Sequence, residues 1–446
     1  MQLRSPNHKT RIIEMHGGKI AGVFRLGVPA ALLISLVYVT NAIWQPDAVV
    51  AQGVTETQLG VALSANQEVP TVTSPSTAKG VGNVTVSADQ TTINYSLTLT
   101  GPFTSDPVQA HIHAGRPGVA GPVIFFICSA AQEGVQACPL AAGGEISGTL
   151  TEAEFMPRPE AGIETFADAV AAITGGNAYL NVHTTANASG EIRGQIGPVS
   201  LGALLSSAAE IPPVTTPSSA TGTAAVAIAP DHASINYTLT LTGPFTGDPT
   251  QAHIHAGSPE VAGPVIFLLC AAAQEGVQVC PPAAGGEISG TLTEAEFMPR
   301  PEAGIETFAD AIDALISNGA YANVHTPANT SGEIRGQIGL EVSFALDIQP
   351  IFTANCSCHV LGTSGGLSLA EGQSYANLVG VASTEVPELN RVEPGDPDNS
   401  YLFMKHSGAP GITGSRMPLD NPTFFDENPD LLELERQWIL QGALNN

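Results

Sequence analysis

Period-two alternation of apolar and polar residues runs through the middle of the chain. Over 92–99, Ile93, Tyr95, Leu97 and Leu99 alternate with Thr92, Asn94, Ser96 and Thr98. Successive side chains of a strand point to opposite faces, so this spacing predicts one buried and one polar face. Val108, Ala110 and Ile112 alternate in the same way with Gln109, His111 and His113, and the stretches 179–183 and 191–196 follow suit. Short strands of this kind, separated by Gly/Pro turns, predict an antiparallel sandwich or barrel. The helical spacing of Phe166, Val170 and Ile173 predicts one short helix over 165–173.

The whole pattern occurs twice. QAHIHAG stands at Gln109–Gly115 and again at Gln251–Gly257, and the same offset relates Cys128 to Cys270, Cys138 to Cys280, His183 to His325 and Arg193 to Arg335. The period is too long for a solenoid unit, so each copy reads as a domain, one over 58–199 and one over 200–340. Beyond Ile338 the alternation stops and helical signals replace it over 342–446. Asp347 is placed to cap a helix carrying Ile348, Ile351 and Phe352, and Asn428-Pro429-Asp430 opens another that presents Leu431, Leu434, Trp438 and Ile439 and ends at Gly442. The predicted fold is therefore multidomain: two mainly antiparallel β repeats, sandwich- or barrel-like, and a small α-helical domain.

Several segments of each copy resemble the CHRD domain, the module repeated in chordin. They are LSANQEVPTV (63–72), AHIHAG (110–115), GEISGTLT (144–151) and NVHTTANASGEIRGQI (181–196). The resemblance covers each copy almost end to end. It implies a β-rich extracellular fold, found in secreted bacterial and animal proteins, to which no catalytic activity is generally attached.

Charge narrows the function. With 15 Lys+Arg against 41 Asp+Glu, the net charge of −26 excludes a nucleic-acid binder and disfavours anionic lipid. Five of the cations (Arg4, Lys9, Arg11, Lys19 and Arg25) precede the uncharged apolar run 26–44, and Val49-Val50-Ala51 follows. This order predicts an export signal over 1–51, cleaved after Ala51. The alternative is an uncleaved N-terminal membrane anchor, since the run is just long enough to span. Either way the protein is exported, to a periplasmic, cell-surface or secreted location. In that setting Cys128 with Cys138, and Cys270 with Cys280, read as disulfides within each repeat.

Two groups of residues carry chemistry. His111 and His113 share a strand face, and His183 lies on the polar register of a later strand; His253, His255 and His325 repeat the arrangement. Three converging imidazoles would suit Cu or Zn. The alternative is a hydrogen-bonded polar cluster with Glu191 and Arg193 that fixes strand pairing. Glu152 and Glu154 read as charges at a helix start rather than a glycosidase pair. No nucleophile-elbow motif occurs, and His232 and His406 have no evident nucleophile beside them.

The second group lies at Asn355-Cys356-Ser357-Cys358-His359. With DIQPIF (347–352) before it, PGDPDNSYL (394–402), GSRMP (414–418) and RQWI (436–439) after it, this domain resembles class I c-type cytochromes. The resemblance implies haem c held by Cys356 and Cys358, with His359 and Met417 as axial ligands and Met404 and His406 as alternatives for the sixth position. The family motif has two residues between its cysteines, and this chain has one. On a helix, positions i and i+2 lie about 200° apart, so both thiols would not face the same haem edge. Three outcomes stand open: a distorted double attachment, a single thioether through Cys358, or a domain without haem. The functional readings are accordingly an exported haem-c electron-transfer protein with two β docking modules, working with a redox partner; a haem-free extracellular binding or structural protein, working with an extracellular ligand; and a copper or zinc enzyme.

Overall fold

The computed structural model describes residues 55–446, so the expected signal over 1–51, its cleavage site and the alternative anchor lie outside the described residues. Among the described residues no helix is long and apolar enough to cross a membrane.

The first repeat comprises β1 (Thr57–Ser64), β2 (Lys79–Val86), β3 (Ile93–Thr100), β4 (Pro107–Ala114), β5 (Val123–Ser129), β6 (Gly143–Leu150), α1 (Phe166–Thr174), β7 (Ala178–Thr184) and β8 (Ile192–Gln195). Its strands form one eight-stranded antiparallel sheet, ordered β5-β4-β7-β8-β1-β2-β3-β6, which curls barrel-like around a core that includes Leu59, Val84, Ile93, Ile112, Phe125 and Leu180. The alternation in β3 appears as expected: Ile93, Tyr95, Leu97 and Leu99 are buried and the residues between them exposed. The helix falls within a residue of its predicted span. Thr165 and Asp168 form a reciprocal capping box at its start, and Phe166 packs its ring against Phe125 and Phe155.

Strands β4, β7 and β8 depart from simple alternation, because they are buried on both faces. The segment after β4 turns back over their outer face. There the Arg116 and Val119 carbonyls accept from Arg193, and Gly121 bonds both His113 and Tyr179. Only glycine fits at position 121, where a Cβ would run into the Ala114 carbonyl.

The second repeat follows the same plan, with β9 (Val199–Ser206), β10 (Thr221–Ile228), β11 (Ile235–Thr242), β12 (Gln251–Ala256), β13 (Val265–Ala271), β14 (Gly285–Leu292), α2 (Phe308–Ile316), β15 (Ala320–His325) and β16 (Ile334–Leu340) in an equivalent sheet. The repeats pack directly on each other. Asp313 on α2 accepts hydrogen bonds from Ser64 Oγ (2.6 Å) and Gln67 Nε2 (2.9 Å), and Lys79 pairs with Asp310. His232 bonds the Gly197 carbonyl at 2.7 Å, a structural role across the same junction.

Both expected disulfides are present, Cys128–Cys138 and Cys270–Cys280. Each runs from the end of an edge strand to the loop that leads into the opposite edge, β5 to β6 and β13 to β14. Closing so small a loop stabilises by about 2–3 kcal/mol in the chain-entropy picture. Replacing Cys128 and Cys138 together by alanine should lower the melting temperature of the first repeat while leaving the second unchanged. Calorimetry that found no shift would show the bond to be dispensable.

The C-terminal region contains α3 (Gln349–Asn355), α4 (Ser357–Val360), α5 (Ser374–Leu378), α6 (Tyr401–Ser407), α7 (Phe424–Glu427) and α8 (Pro429–Leu440) around Phe344, Ile348, Phe352, Leu378 and Trp438. Helical structure starts a turn earlier than Asp347 implied. A wider turn over Phe344–Ile348 precedes α3; Ser343 caps it, and Asp347 accepts a hydrogen bond from the Ser343 N–H instead of capping α3. Asp347 also pairs with Arg116, which ties this region to the first repeat. Glu152 and Glu154 start no helix. Glu154 closes a single exposed turn by accepting from the Thr151 N–H and hydroxyl.

Candidate functional site

Strand pairing brings the repeat histidines together. In the β4–β7 ladder His111 lies opposite Asn181 and Gln109 opposite His183, so His111 and His183 are diagonal neighbours on one face. His113 is two residues further along that face. The ring centroids are 5.0 Å apart for His111–His183, 5.5 Å for His111–His113 and 6.0 Å for His113–His183. One ring nitrogen from each residue lies within 4.8 Å of the others, and His253, His255 and His325 meet the same limit in the second repeat.

The surroundings fix which nitrogen faces the group. His113 Nδ1 bonds the Gly121 carbonyl at 2.8 Å, and His183 Nδ1 bonds that of Ala188 at 3.1 Å. A carbonyl only accepts, so in both rings Nδ1 carries the proton and Nε2 keeps its lone pair. Both Nε2 atoms are buried without a partner, as are both nitrogens of His111. In the second repeat His255 and His325 bond the Gly263 and Thr330 carbonyls in the same way. Burial, and secondarily the neighbouring imidazoles, depress His111 to a pKa of about 3. Burial likewise depresses His113, to about 4, so both rings are neutral at physiological pH. The alternative of a polar cluster with Glu191 and Arg193 does not form. Glu191 bonds Ser76, Thr104 and Thr184 instead, while the Arg193 guanidinium stacks 3.5 Å over the Tyr179 ring.

Sequence reasoning overlooked Tyr179 and Glu68. The Tyr179 ring is sandwiched between Arg193 and His113, whose ring stacks on it at 4.8 Å. Glu68 receives the Asn181 amide, and burial raises its carboxyl to about 8 despite the opposing pull of Arg193. A signal was present: an acid recurs at the matching point of the second repeat, where Glu210 is raised by burial to about 7.

The second group also converges. Cys356, Cys358, His359 and Met417 line one cleft in the C-terminal region, a cavity of about 240 Å³ with Leu369 and Leu402 in its walls. The short cysteine spacing acts differently from the helical expectation. Cys356 sits at the break between α3 and α4 with φ −121° and ψ 45°, off the helix that carries Cys358, so the 200° rule does not separate the two residues. Both are free thiols, and burial pushes that of Cys356 up to about 12. His359 Nδ1 bonds the Leu367 carbonyl at 3.3 Å, which leaves Nε2 available. The Met417 N–H is fastened to the Lys405 carbonyl. Of the alternative ligands, Met404 is not among the residues lining the cleft; His406 is, but its Nδ1 lies 2.6 Å from the carboxyl group of buried Glu435.

The CHRD domain model matches the chain over residues 59–196 and again over 201–338. Among curated proteins no significant match is found.

Proposed function

The chain belongs to the CHRD-domain family, and on that premise we propose that it is an exported binding or structural protein of the cell exterior. The organisation we infer is a signal over 1–51, CHRD modules over 58–199 and 200–340, and a helical domain over 342–446. The supporting observation is a disulfide inside each matched repeat, since such bonds persist in oxidising compartments. The modules present an extracellular ligand with two β surfaces, joined through Asp313, Asp310 and His232. Fractionation should find the mature protein outside the cytoplasm, beginning near Gln52, with Cys128, Cys138, Cys270 and Cys280 inaccessible to alkylation until reduction. A cytosolic protein with those four thiols free would overturn the reading.

A second reading adds haem c to the helical domain, and the shared cleft of Cys358, His359 and Met417 favours it. The donor set fits the group: two thiols, an imidazole with a free Nε2, a thioether and an apolar wall. Cys358, with or without Cys356, would hold haem, and His359 and Met417 would ligate its iron. So held, the group would supply outer-sphere electron transfer. The protein's own part is to orient His359 through the Leu367 carbonyl, to fasten the Met417 loop at Lys405, and to exclude water with Leu369 and Leu402. Expression with a c-type maturation system should give a Soret band that stays with the denatured chain and is lost in Cys358→Ser. A colourless product from a host that matures other c cytochromes would remove this reading and leave the binding protein.

A further inference from the structure

Buried polar atoms in folded proteins are nearly always hydrogen-bonded, and an exception calls for a cause. Each repeat here collects several such exceptions at one point. His111 and His113 are more than nine-tenths buried, yet the Nε2 atoms of His111, His113 and His183, and His111 Nδ1 as well, have no partner. Nothing in the fold requires three imidazoles there. An apolar side chain at position 111 would pack against Phe126, whose ring now lies 4.6 Å from that of His111, without leaving unpaired nitrogens.

We propose that His111, His113 and His183 form a three-histidine copper site, and that His253, His255 and His325 form a second, equivalent one. The backbone carbonyls of Gly121 and Ala188 hold two of the rings in one tautomer and direct their lone pairs to a common point. That is the role outer partners play around metal-bound histidines. One nitrogen from each of the three rings already lies within 4.8 Å of the others. His183 and His325 are only half-buried and provide the way in.

The donors select the ion. Oxygen-seeking Ca²⁺ and Mg²⁺ find no carboxylate in the group. Imidazole nitrogens suit copper, which among the divalent ions they also favour over zinc. Charge points the same way, to the cuprous state. The three ligands are uncharged imidazoles with no carboxylate among them, and a cation, Arg193, stacks on the Tyr179 ring that packs against His113. A monovalent ion is cheaper to bury in such a place than a dication, whose charge nothing offsets. Cuprous copper is also content with three ligands, whereas zinc sites ordinarily complete four.

The test uses the full chain carrying Cys356→Ser and Cys358→Ser, so that thiols do not compete. Anaerobic titration with Cu(I) against a colorimetric chelator should give two equivalents. His111→Gln should retain one and His111→Gln/His253→Gln none, while His232→Gln, at a buried histidine outside both groups, should retain two. Circular dichroism and the melting temperature establish that each variant is folded. Copper should raise the melting temperature of the parent and leave that of the doubly substituted protein unmoved. Two equivalents retained by the folded double variant, or no copper taken up by the parent, would overturn the sites. Zinc bound as tightly as copper would overturn the choice of metal.

Discussion

Replacing Glu191 by alanine should destabilise the first repeat by about 3–5 kcal/mol, enough to unfold a marginal domain. The carboxylate is completely buried and receives the Thr104 N–H at 2.7 Å and the hydroxyls of Ser76 (2.7 Å), Thr184 (2.6 Å) and Thr104. These donors come from three separate parts of the chain, so this one side chain fastens the segments after β1 and β3 to the end of β7. Its removal leaves four donors facing a cavity, each costing about 1–3 kcal/mol if it finds no new partner. Glu191→Gln keeps the shape and one acceptor, and the hydroxyls can turn to suit the amide, so its cost should be smaller.

Acid should narrow the difference between the alanine variant and the parent, since a protonated Glu191 still fills its site. Burial alone would raise the Glu191 pKa, but the hydrogen bonds from Thr104, Thr184 and Ser76 outweigh it and hold the group below the usual carboxylate value. With the folded pKa depressed, the contribution is complete above the unfolded pKa and is lost as pH falls through the folded one. Urea unfolding at pH 7 and pH 3 measures both effects. Equal stability of parent and Glu191→Ala at pH 7 would refute the argument. Glu333 holds Ser218, Thr246 and Thr326 in the second repeat and should respond in the same way.

What the sequence revealed divides along physical lines. The strands, the helix at 165–173 and the disulfides were legible because period-two and helical patterns and paired cysteines are local or repeated signals. The convergence of His111, His113 and His183 was half legible. The shared face of His111 and His113 follows from the pleat, but the diagonal placement of His183 depends on the β4–β7 register, which no local pattern encodes. The burial of that polar face was not legible at all, because the cover comes from the 115–121 segment folding back. In the C-terminal region the C-x-C-H spacing was read on a continuous helix. The chain breaks the helix at Cys356, a choice of backbone angles that the residue types there do not announce. Glu435 was missed because it interrupts the apolar face of α8, where a carboxylate is unexpected without knowledge of its partner.

That partner sets up the second large effect. His406→Ala should destabilise the C-terminal region by about 3–5 kcal/mol, because it strands a buried carboxyl group. Glu435 is 1% exposed and His406 2%. Its Oε2 lies 2.6 Å from His406 Nδ1, and its Oε1 has no partner at all. The imidazole also stacks on Phe425 at 4.5 Å, so alanine removes packing as well as the hydrogen bond. Replacing both residues by leucine should recover most of the loss, since a pair of apolar groups asks for no partner, and the difference between single and double variants measures the coupling. The readout is local: Trp438 lies on α8, fully buried, and the other tryptophan, Trp44, belongs to the expected signal. Tryptophan fluorescence in urea therefore reports this region alone. An unchanged midpoint in His406→Ala would show that Glu435 finds another partner. A large drop would mean that His406 is committed to the fold, which leaves Met417, whose N–H is fastened to the Lys405 carbonyl, to join His359 in meeting whatever enters the cleft.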